Sequence, residues 1–474
     1  MTKRLQQFID GRWRDGGGDA IPVLNPASGE TVAELSMAAE EDIDEAAAAA
    51  GRGFEEWRSV AASERAAIVR AAAALLRDRA DEIARVLTIE QGKPLGQSRW
   101  EVRVTADYFD ELAGSAERAY GRVVPTSAGG VGRAIVYEPI GPVFAVAPWN
   151  LPAMLPGRKI ATALAAGCSV VVKPAKETPE TTQCIARCCH DAGVPAGVVN
   201  VVSGPSAMLS DKLIASPLIR KLSFTGSTEI GKQLAAACGR HMKKATMELG
   251  GHAPVVICAD ADIDRTIAAT ASGRYANAGQ SCIAPTRFFV QRAVYEQFVG
   301  GFSERVRAIR IGNGLDDVDM GPLASERRLH VMEDFIADAS RHGATTTAGG
   351  ERINGAGYFF QPTVLRDVPD SAAIMTEEPF GPITPIDVFD DVDEALARAN
   401  GTPYGLASYV FTSSLATADY LAAGIDAGMV GVNTLDVAAP SVPFGGVRDS
   451  GIGRESAIEG LLESMVTKTI SRAA

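Results

Sequence analysis

Between residues 145 and 239 short β-branched runs alternate with helical stretches, and no other feature of the sequence restricts the fold so strongly. Strand-like runs at 168–173, 198–202 and 220–224 are each followed by a helical stretch, at 180–192, 207–215 and 229–238. That order predicts a parallel sheet with right-handed crossover helices, buried on both faces. A second alternating region runs from about 253 to 442, with apolar strands expected at 254–257, 288–290, 383–389, 407–411 and 429–432. Upstream, residues 39–91 carry apolar side chains at helical spacing (Ile68, Leu75, Leu76, Ile83, Leu87), which predicts amphipathic helices. Segments 133–138 and 465–471 are short and alternating. They predict strands outside both sheets, whose exposed edges call for a partner such as another subunit. With 474 residues the chain exceeds the size of a single core, so at least two domains are expected.

Composition narrows the partners. A net charge of −12 repels a polyanion, which argues against nucleic acid. The longest nearly apolar run, 160–172, is closed by Lys159 and Lys173 and is too short to cross a bilayer. The N-terminus lacks the apolar core of a signal peptide, and seven cysteines without scaffold spacing fit a reduced compartment. A cytoplasmic protein that binds neither membrane nor nucleic acid is expected.

The stretch Glu248-Leu249-Gly250-Gly251 is followed, thirty-four residues after the glutamate, by Cys282 in Asn277-Ala278-Gly279-Gln280-Ser281-Cys282. Cys282 lies in a polar loop from which a sulfur can be presented to a cleft, and paired glycines let a ligand approach the backbone. On these residues alone Cys282 is equally readable as a structural thiol, Glu248 as a salt-bridged or helix-start carboxylate and Asn150 as a turn residue. Gly226-Ser227-Thr228-Glu229-Ile230-Gly231 follows a predicted strand and opens a helix, which aims backbone N–H groups and a helix dipole at an anion, although helix capping alone produces the same pattern. Cys184, Cys188, Cys189 and His190 share one helix. Their spacing does not converge on one face, so they read as core packing and no metal site is expected.

Taken together, these segments resemble the signatures of the aldehyde dehydrogenase superfamily. Pro148-Trp149-Asn150-Leu151-Pro152 is similar to its oxyanion segment, Lys173-Pro174-Ala175 to its ribose-binding segment and Phe224-Thr225-Gly226-Ser227-Thr228 to its phosphate turn; Glu378-Pro379-Phe380-Gly381-Pro382 and Pro443-Phe444-Gly445-Gly446 complete the set. The resemblance runs from about residue 25 to 469. It implies an α/β chain in which 1–120 and 140–247 form a Rossmann-like cofactor domain. Residues 248–445 would form a second α/β catalytic domain, and 121–139 with 460–474 a small oligomerisation β-element, giving a homodimer or homotetramer.

The chemistry implied is oxidation of an aldehyde to a carboxylic acid with NAD(P). An aldehyde has no leaving group, so a thiolate must add first, and Cys282 takes that role. The Asn150 amide and the Cys282 backbone N–H would hold the developing oxyanion, and Glu248 would activate the water that hydrolyses the thioester. Members that pass the acyl group to coenzyme A typically lack a glutamate at this position, so hydrolysis is favoured over that alternative and over a catalytically silent dinucleotide-binding protein. The resemblance assigns Trp149, Lys173, Ala175, Lys176, Gly226, Ser227, Glu378 and Phe380 to the cofactor.

Three departures stand out. Lys176 replaces the glutamate that many relatives use for the adenosine ribose, which favours NADP over NAD. His252 replaces a lysine. Arg158, eight residues after Asn150, is either a surface charge or faces the substrate; in the second case it resembles the arginine of members that oxidise small semialdehydes such as succinate semialdehyde, although a second arginine of that group is Ala276 here.

Overall fold

The computed structural model of the chain describes residues 3–125 and 131–473, so residues 126–130 and 474 of the two segments expected to form an oligomerisation element lie outside the described residues. The described residues form four sheets. The largest has eight strands in the order Gly451–Ile452, Lys244–Glu248, Lys221–Thr225, Val143–Val146, Val170–Lys173, Val199–Val201, Gln7–Ile9 and Arg12–Arg14. Its five central strands are parallel, while Gly451–Ile452 and Gln7–Ile9 join antiparallel at either side. Val170–Lys173 is buried at all four positions, as a parallel strand covered on both faces must be.

The strand order reverses between Val143–Val146 and Lys221–Thr225. Chain leaving the first strand returns on one side as Val170–Lys173 and Val199–Val201, then crosses to the other side. Ligands of open α/β sheets bind outside the carboxyl ends of the strands at such a reversal. Trp149 and Asn150 follow the end of one of these strands, and Gly226 and Ser227 follow the end of the other.

A seven-stranded sheet contains Thr345–Ala348, Thr363–Arg366, Ile383–Phe389, Pro285–Gln291, Ala253–Ile257, Ala407–Phe411 and Met429–Val432, in that order. Only the first of these strands is antiparallel. The loop bearing Cys282 enters this sheet at the amino end of Pro285–Gln291, so the site lies between the two sheets. Met465–Ala473, Val131–Pro139 and Arg122–Val124 make a separate antiparallel sheet, largely unburied in the single chain. A small fourth sheet joins Lys3–Leu5, Thr31–Ser36 and Ala20–Leu24.

The expected helices are observed at Glu40–Trp57, Ala62–Asp78 and Ala80–Gln91. Leu95–Ala116, which the apolar pattern does not announce, is a further helix of 22 residues. Its buried face includes Glu101, a carboxylate where the pattern requires a hydrocarbon. This helix sets the position of helix Met154–Ala166. A Cβ on Gly157 would lie 2.4 Å from Thr105 Cγ2, so only glycine permits the close crossing. Val102, Phe109 and Leu112 are fully buried beside it, each contributing about 1.5–3 kcal/mol of apolar burial for the larger side chains.

Candidate active site

Cys282 follows the 3-10 turn Ala276–Gly279, in which Asn277 (φ 50°) and Ala278 (φ 52°) are left-handed. Its thiol opens into a cavity of about 1170 Å³ walled by Tyr108, Leu151, Met154, Ile283, Leu435 and Phe444. The thiol is pushed up to about 12, by burial first and then by the carboxylates of Glu378 and Glu248, with Arg158 opposing them.

Asn150 is buried, and its Nδ2 donates to the Gln280 carbonyl at 3.1 Å. An amide nitrogen carries two hydrogens, so a second donor remains for a ligand beside Cys282. The backbone oxygen of Asn150 accepts from Lys93 Nζ at 2.7 Å and from Asn277 Nδ2 at 2.9 Å. Lys93 is paired with Glu101 at 2.6 Å in the interior, and the other oxygen of Glu101 accepts the N–H groups of Ala153 and Met154 at the start of helix Met154–Ala166.

Glu248 ends strand Lys244–Glu248 and is buried with both carboxylate oxygens lacking a hydrogen-bond partner. Burial first, then the Glu455 carboxylate, pushes its proton affinity well above the usual carboxylate range; Arg158, Lys159 and Arg454 act in the opposite direction. Glu455 itself is held well below that range: burial acts against ionisation, but Arg158 and Lys159 outweigh it. Of two nearby buried carboxylates, the paired one stays charged and raises the other.

Arg158 is not a surface charge. It is 1% exposed, lines the cavity, and sits 2.5 Å from Glu455 Oε2 with its guanidinium over the rings of Phe444 (4.5 Å) and Tyr108 (5.6 Å). Its Nε and Nη2 groups nevertheless lack a well-directed hydrogen bond. The charge is compensated by Glu455, whose Oε2 faces Nη2. Ala276 also lines the cavity.

On the opposite side of Cys282, Gly251 N donates to Glu378 Oε1 at 2.9 Å. Glu378 is pushed up to about 7 by burial. The following segment is fixed by arginines absent from the sequence reading: Arg328 donates to the carbonyls of Pro379 and Phe380, and Arg274 to that of Gly381. Phe380 takes a left-handed φ of 42° and meets the Trp149 ring edge-to-face at 5.5 Å. Lys173 is buried, with its Nζ bonded only weakly, at 3.3 Å, to the neighbouring Pro174 carbonyl. Burial lowers its proton affinity, Glu177 raises it and Lys176 lowers it further, which places Lys176 within electrostatic reach of Lys173. Ala175 is buried and Lys176 exposed. Ser227 precedes helix Thr228–Arg240, and a Cβ on Gly226 would strike the Phe224 ring at 2.5 Å.

This side fits a dinucleotide. A buried ammonium lacks an anionic partner within hydrogen-bond distance, a helix amino end is exposed beside Gly226, and the Gly250 cradle would place a Cβ 2.8 Å from Glu378 Oε2.

His252 is buried, with Nδ1 against Thr286 Oγ1 (2.9 Å) and Nε2 against the Ile374 carbonyl (3.0 Å); it stitches the glycine pair to the stretch before Glu378. Burial first, then Arg287, holds it well below the ordinary histidine range. Cys188 and Cys189 are buried in the core. Among the described residues no group of three or more His, Cys, Asp or Glu side chains is arranged to hold a metal, and no helix is long and apolar enough to cross a membrane.

Comparison with known proteins agrees across the whole chain. The model of the Aldehyde dehydrogenase family matches residues 13–470. The 4-(hydroxymethyl)benzenesulfonate dehydrogenase of Comamonas testosteroni is 44% identical over 463 residues, 97% of this chain and 96% of that protein. The NADP(+) succinate-semialdehyde dehydrogenase of Escherichia coli is 39% identical over 467 residues, 98% and 97% of the two chains. The crystal structure of an Escherichia coli NADP-dependent enzyme superposes with a TM-score of 0.98 at 39% identity, covering 100% of this chain and 98% of the other.

Proposed function

Because the chain belongs to the aldehyde dehydrogenase family and is an NAD(P)-dependent oxidoreductase, we propose that it oxidises an aldehyde with a distal anionic group to the carboxylic acid through a thioester on Cys282. One observation carries the hydrolytic half of this reading: both oxygens of buried Glu248 are free of partners while its charge reaches Cys282. A buried carboxylate left without partners calls for a functional account, and a water activated for the thioester supplies one.

Cys282 loses its proton to solvent and adds to the aldehyde carbon as the thiolate, and the oxygen becomes an alkoxide held by the free N–H of the Asn150 amide and by the Cys282 backbone N–H. The nicotinamide cofactor, when bound, would supply the acceptor for the hydride of this carbon, a transfer that leaves the thioester on Cys282. Glu248 then takes a proton from the water that attacks the thioester, and Cys282 leaves as thiolate. The free base favours water over coenzyme A as acceptor.

Lys173, Ala175, Lys176, Gly226, Ser227, Trp149, Glu378 and Phe380 are the residues that would hold the cofactor. The cationic pair Lys173 and Lys176 supports NADP over NAD. For the substrate, the place of the Arg158 cation in the cavity wall supports an acid-ended aldehyde, with succinate semialdehyde as first choice. Relatives named for succinate semialdehyde, glutarate semialdehyde and 3-sulfolactaldehyde share an anionic end. The exposed strands at Val131–Pro139 and Met465–Ala473 support a homodimer or homotetramer.

The test is Cys282→Ala with propanal and succinate semialdehyde. Turnover should vanish while NADP binding, read by fluorescence, stays within a fewfold; retained turnover would overturn the assignment.

A further inference from the structure

The two donors assigned to the oxyanion come from different parts of the chain, Asn150 after the strand Val143–Val146 and Cys282 before the strand Pro285–Gln291. Something must hold the two segments in register. Asn277 meets both: its Nδ2 donates to the Asn150 carbonyl at 2.9 Å and to the Gln280 carbonyl at 3.3 Å. The Gln280 carbonyl is the same atom that orients the Asn150 amide. Asn277 is in turn fixed by Gln91, whose Nε2 donates to Asn277 Oδ1 at 2.7 Å, and by Gln97, whose Oε1 accepts the Asn277 N–H at 2.9 Å.

The polarity is forced. With the Asn277 amide reversed, an oxygen would face two carbonyl oxygens and a nitrogen would face the Gln91 amino group. Gln91 cannot turn either, since its Oε1 accepts the Lys93 N–H at 3.0 Å. Asn277, Gln91 and Gln280 are all less than a tenth exposed, so water does not compete for these bonds. The backbone adds a second constraint: at φ 50° and ψ 35° asparagine is among the few residues that sit without large strain.

We propose that Asn277, keyed by Gln91, is a positioning residue that ties the two halves of the oxyanion pocket together and so sets the aim of the Asn150 amide. The inference rests on Asn150 being an oxyanion donor. Asn277 acts through Asn150 and Gln280, to whose carbonyls its amide is bonded. Catalytic donors must be held to a fraction of an ångström, and a misplacement of about 1 Å costs on the order of 100-fold.

The experiment is a double-mutant cycle read by the pre-steady-state burst of NAD(P)H, which reports acylation. Asn277→Gly keeps the left-handed backbone and deletes the amide. It should slow the burst about 10- to 100-fold with aldehyde KM within about threefold, on the scale of such misplacement, and with cofactor binding unchanged. In an Asn150→Ala background the same change should cost less than about threefold, because the group it aims is gone. Gln91→Glu, which removes the key without touching the backbone at 277, should repeat the pattern and serves if the glycine variant does not fold.

A burst unaffected by Asn277→Gly and Gln91→Glu, or slowed equally with and without Asn150, would overturn the proposal. If Asn150→Ala alone leaves the burst unchanged, the oxyanion reading fails and this inference falls with it. The first failure leaves the role of Asn150 standing and the second does not.

Discussion

The carbonyl oxygen of Cys282 lies where the side chain of residue 251 would be: a Cβ on Gly251 would sit 2.3 Å from it. The second glycine of the Glu248-Leu249-Gly250-Gly251 stretch is thus a docking point for the nucleophile loop, as well as the donor that holds Glu378. Gly251→Ala must push that loop away. We expect kcat/KM to fall by about 100-fold, the scale of an ångström-sized misplacement, with cofactor affinity also weakened through Glu378. Stopped-flow turnover and a binding titration check both parts, and wild-type kinetics in this variant would contradict the contact.

Replacing Glu248 with Gln should separate the two halves of the reaction. Acylation continues and gives a burst of NAD(P)H, whereas steady turnover falls by about 10²- to 10⁴-fold, the range of a general base. Only the ionised carboxylate accepts a proton. With its proton affinity raised by burial and by Glu455, the wild-type steady rate should climb with pH well above the usual carboxylate range. That climb should disappear in Glu248→Gln, and equal losses in burst and steady rates would contradict the role.

In the proposed cofactor site Glu378, pushed up to about 7 by burial, should make binding pH-dependent with a definite sign. The ionised form accepts hydrogen bonds from ribose hydroxyls, so affinity should strengthen as pH rises from 6 to 8 and weaken as the group protonates. Titration calorimetry of wild type against Glu378→Gln isolates this effect from titration of the ligand. The variant should bind more weakly and lose the difference.

Lys176→Glu reverses a charge close to Lys173. The kcat/KM ratio of NADP to NAD should exceed one in the wild type and fall by about tenfold or more, since each opposite- or like-charge contact near the surface is worth around 1 kcal/mol. An unchanged ratio would remove Lys176 from cofactor choice.

Arg158→Met should lower kcat/KM for succinate semialdehyde about tenfold more than for butanal, an uncharged aldehyde of the same length, as expected for a lost charge-assisted hydrogen bond. Because it also strands Glu455 with Lys159 as its nearest cation, Tm should drop. The substrate ratio is the diagnostic quantity; parallel losses for both aldehydes would leave Arg158 a purely structural cation.

The alternating region from 145 to 239 was legible because a parallel sheet writes itself as continuous apolar runs, and the strands at 383–389, 407–411 and 429–432 coincide with the observed Ile383–Phe389, Ala407–Phe411 and Met429–Val432. The motifs also pointed to Asn150 and Glu248 alongside Cys282, and the structure bonds the Asn150 amide to the Gln280 carbonyl two residues before Cys282. The supports of the site were not legible. Glu101, Lys93 and Gln91 sit in the interior of a helical region where hydropathy marks them as surface residues, and their burial follows from partners distant in sequence. Glu455 is the clearest case. It falls in the stretch 447–459 that no motif claimed, yet it pairs with Arg158 and Lys159, and the same stretch supplies strand Gly451–Ile452 to the first sheet. A buried polar residue has no periodic signature; only its partners reveal it.

The pairing of Glu248 with Gly451 has a consequence for how the protein comes into being. The residue proposed to activate water is synthesised about two hundred residues before the wall against it, in which Gly445 packs beside its carboxylate and Glu455 tunes its proton affinity. On a ribosome the nascent chain can build most of both sheets and still lack a working centre. A chain that stops before this strand would leave the Glu248 carboxylate without Glu455 and without the strand paired beside it, so the environment of the proposed base is completed only when this late segment has docked.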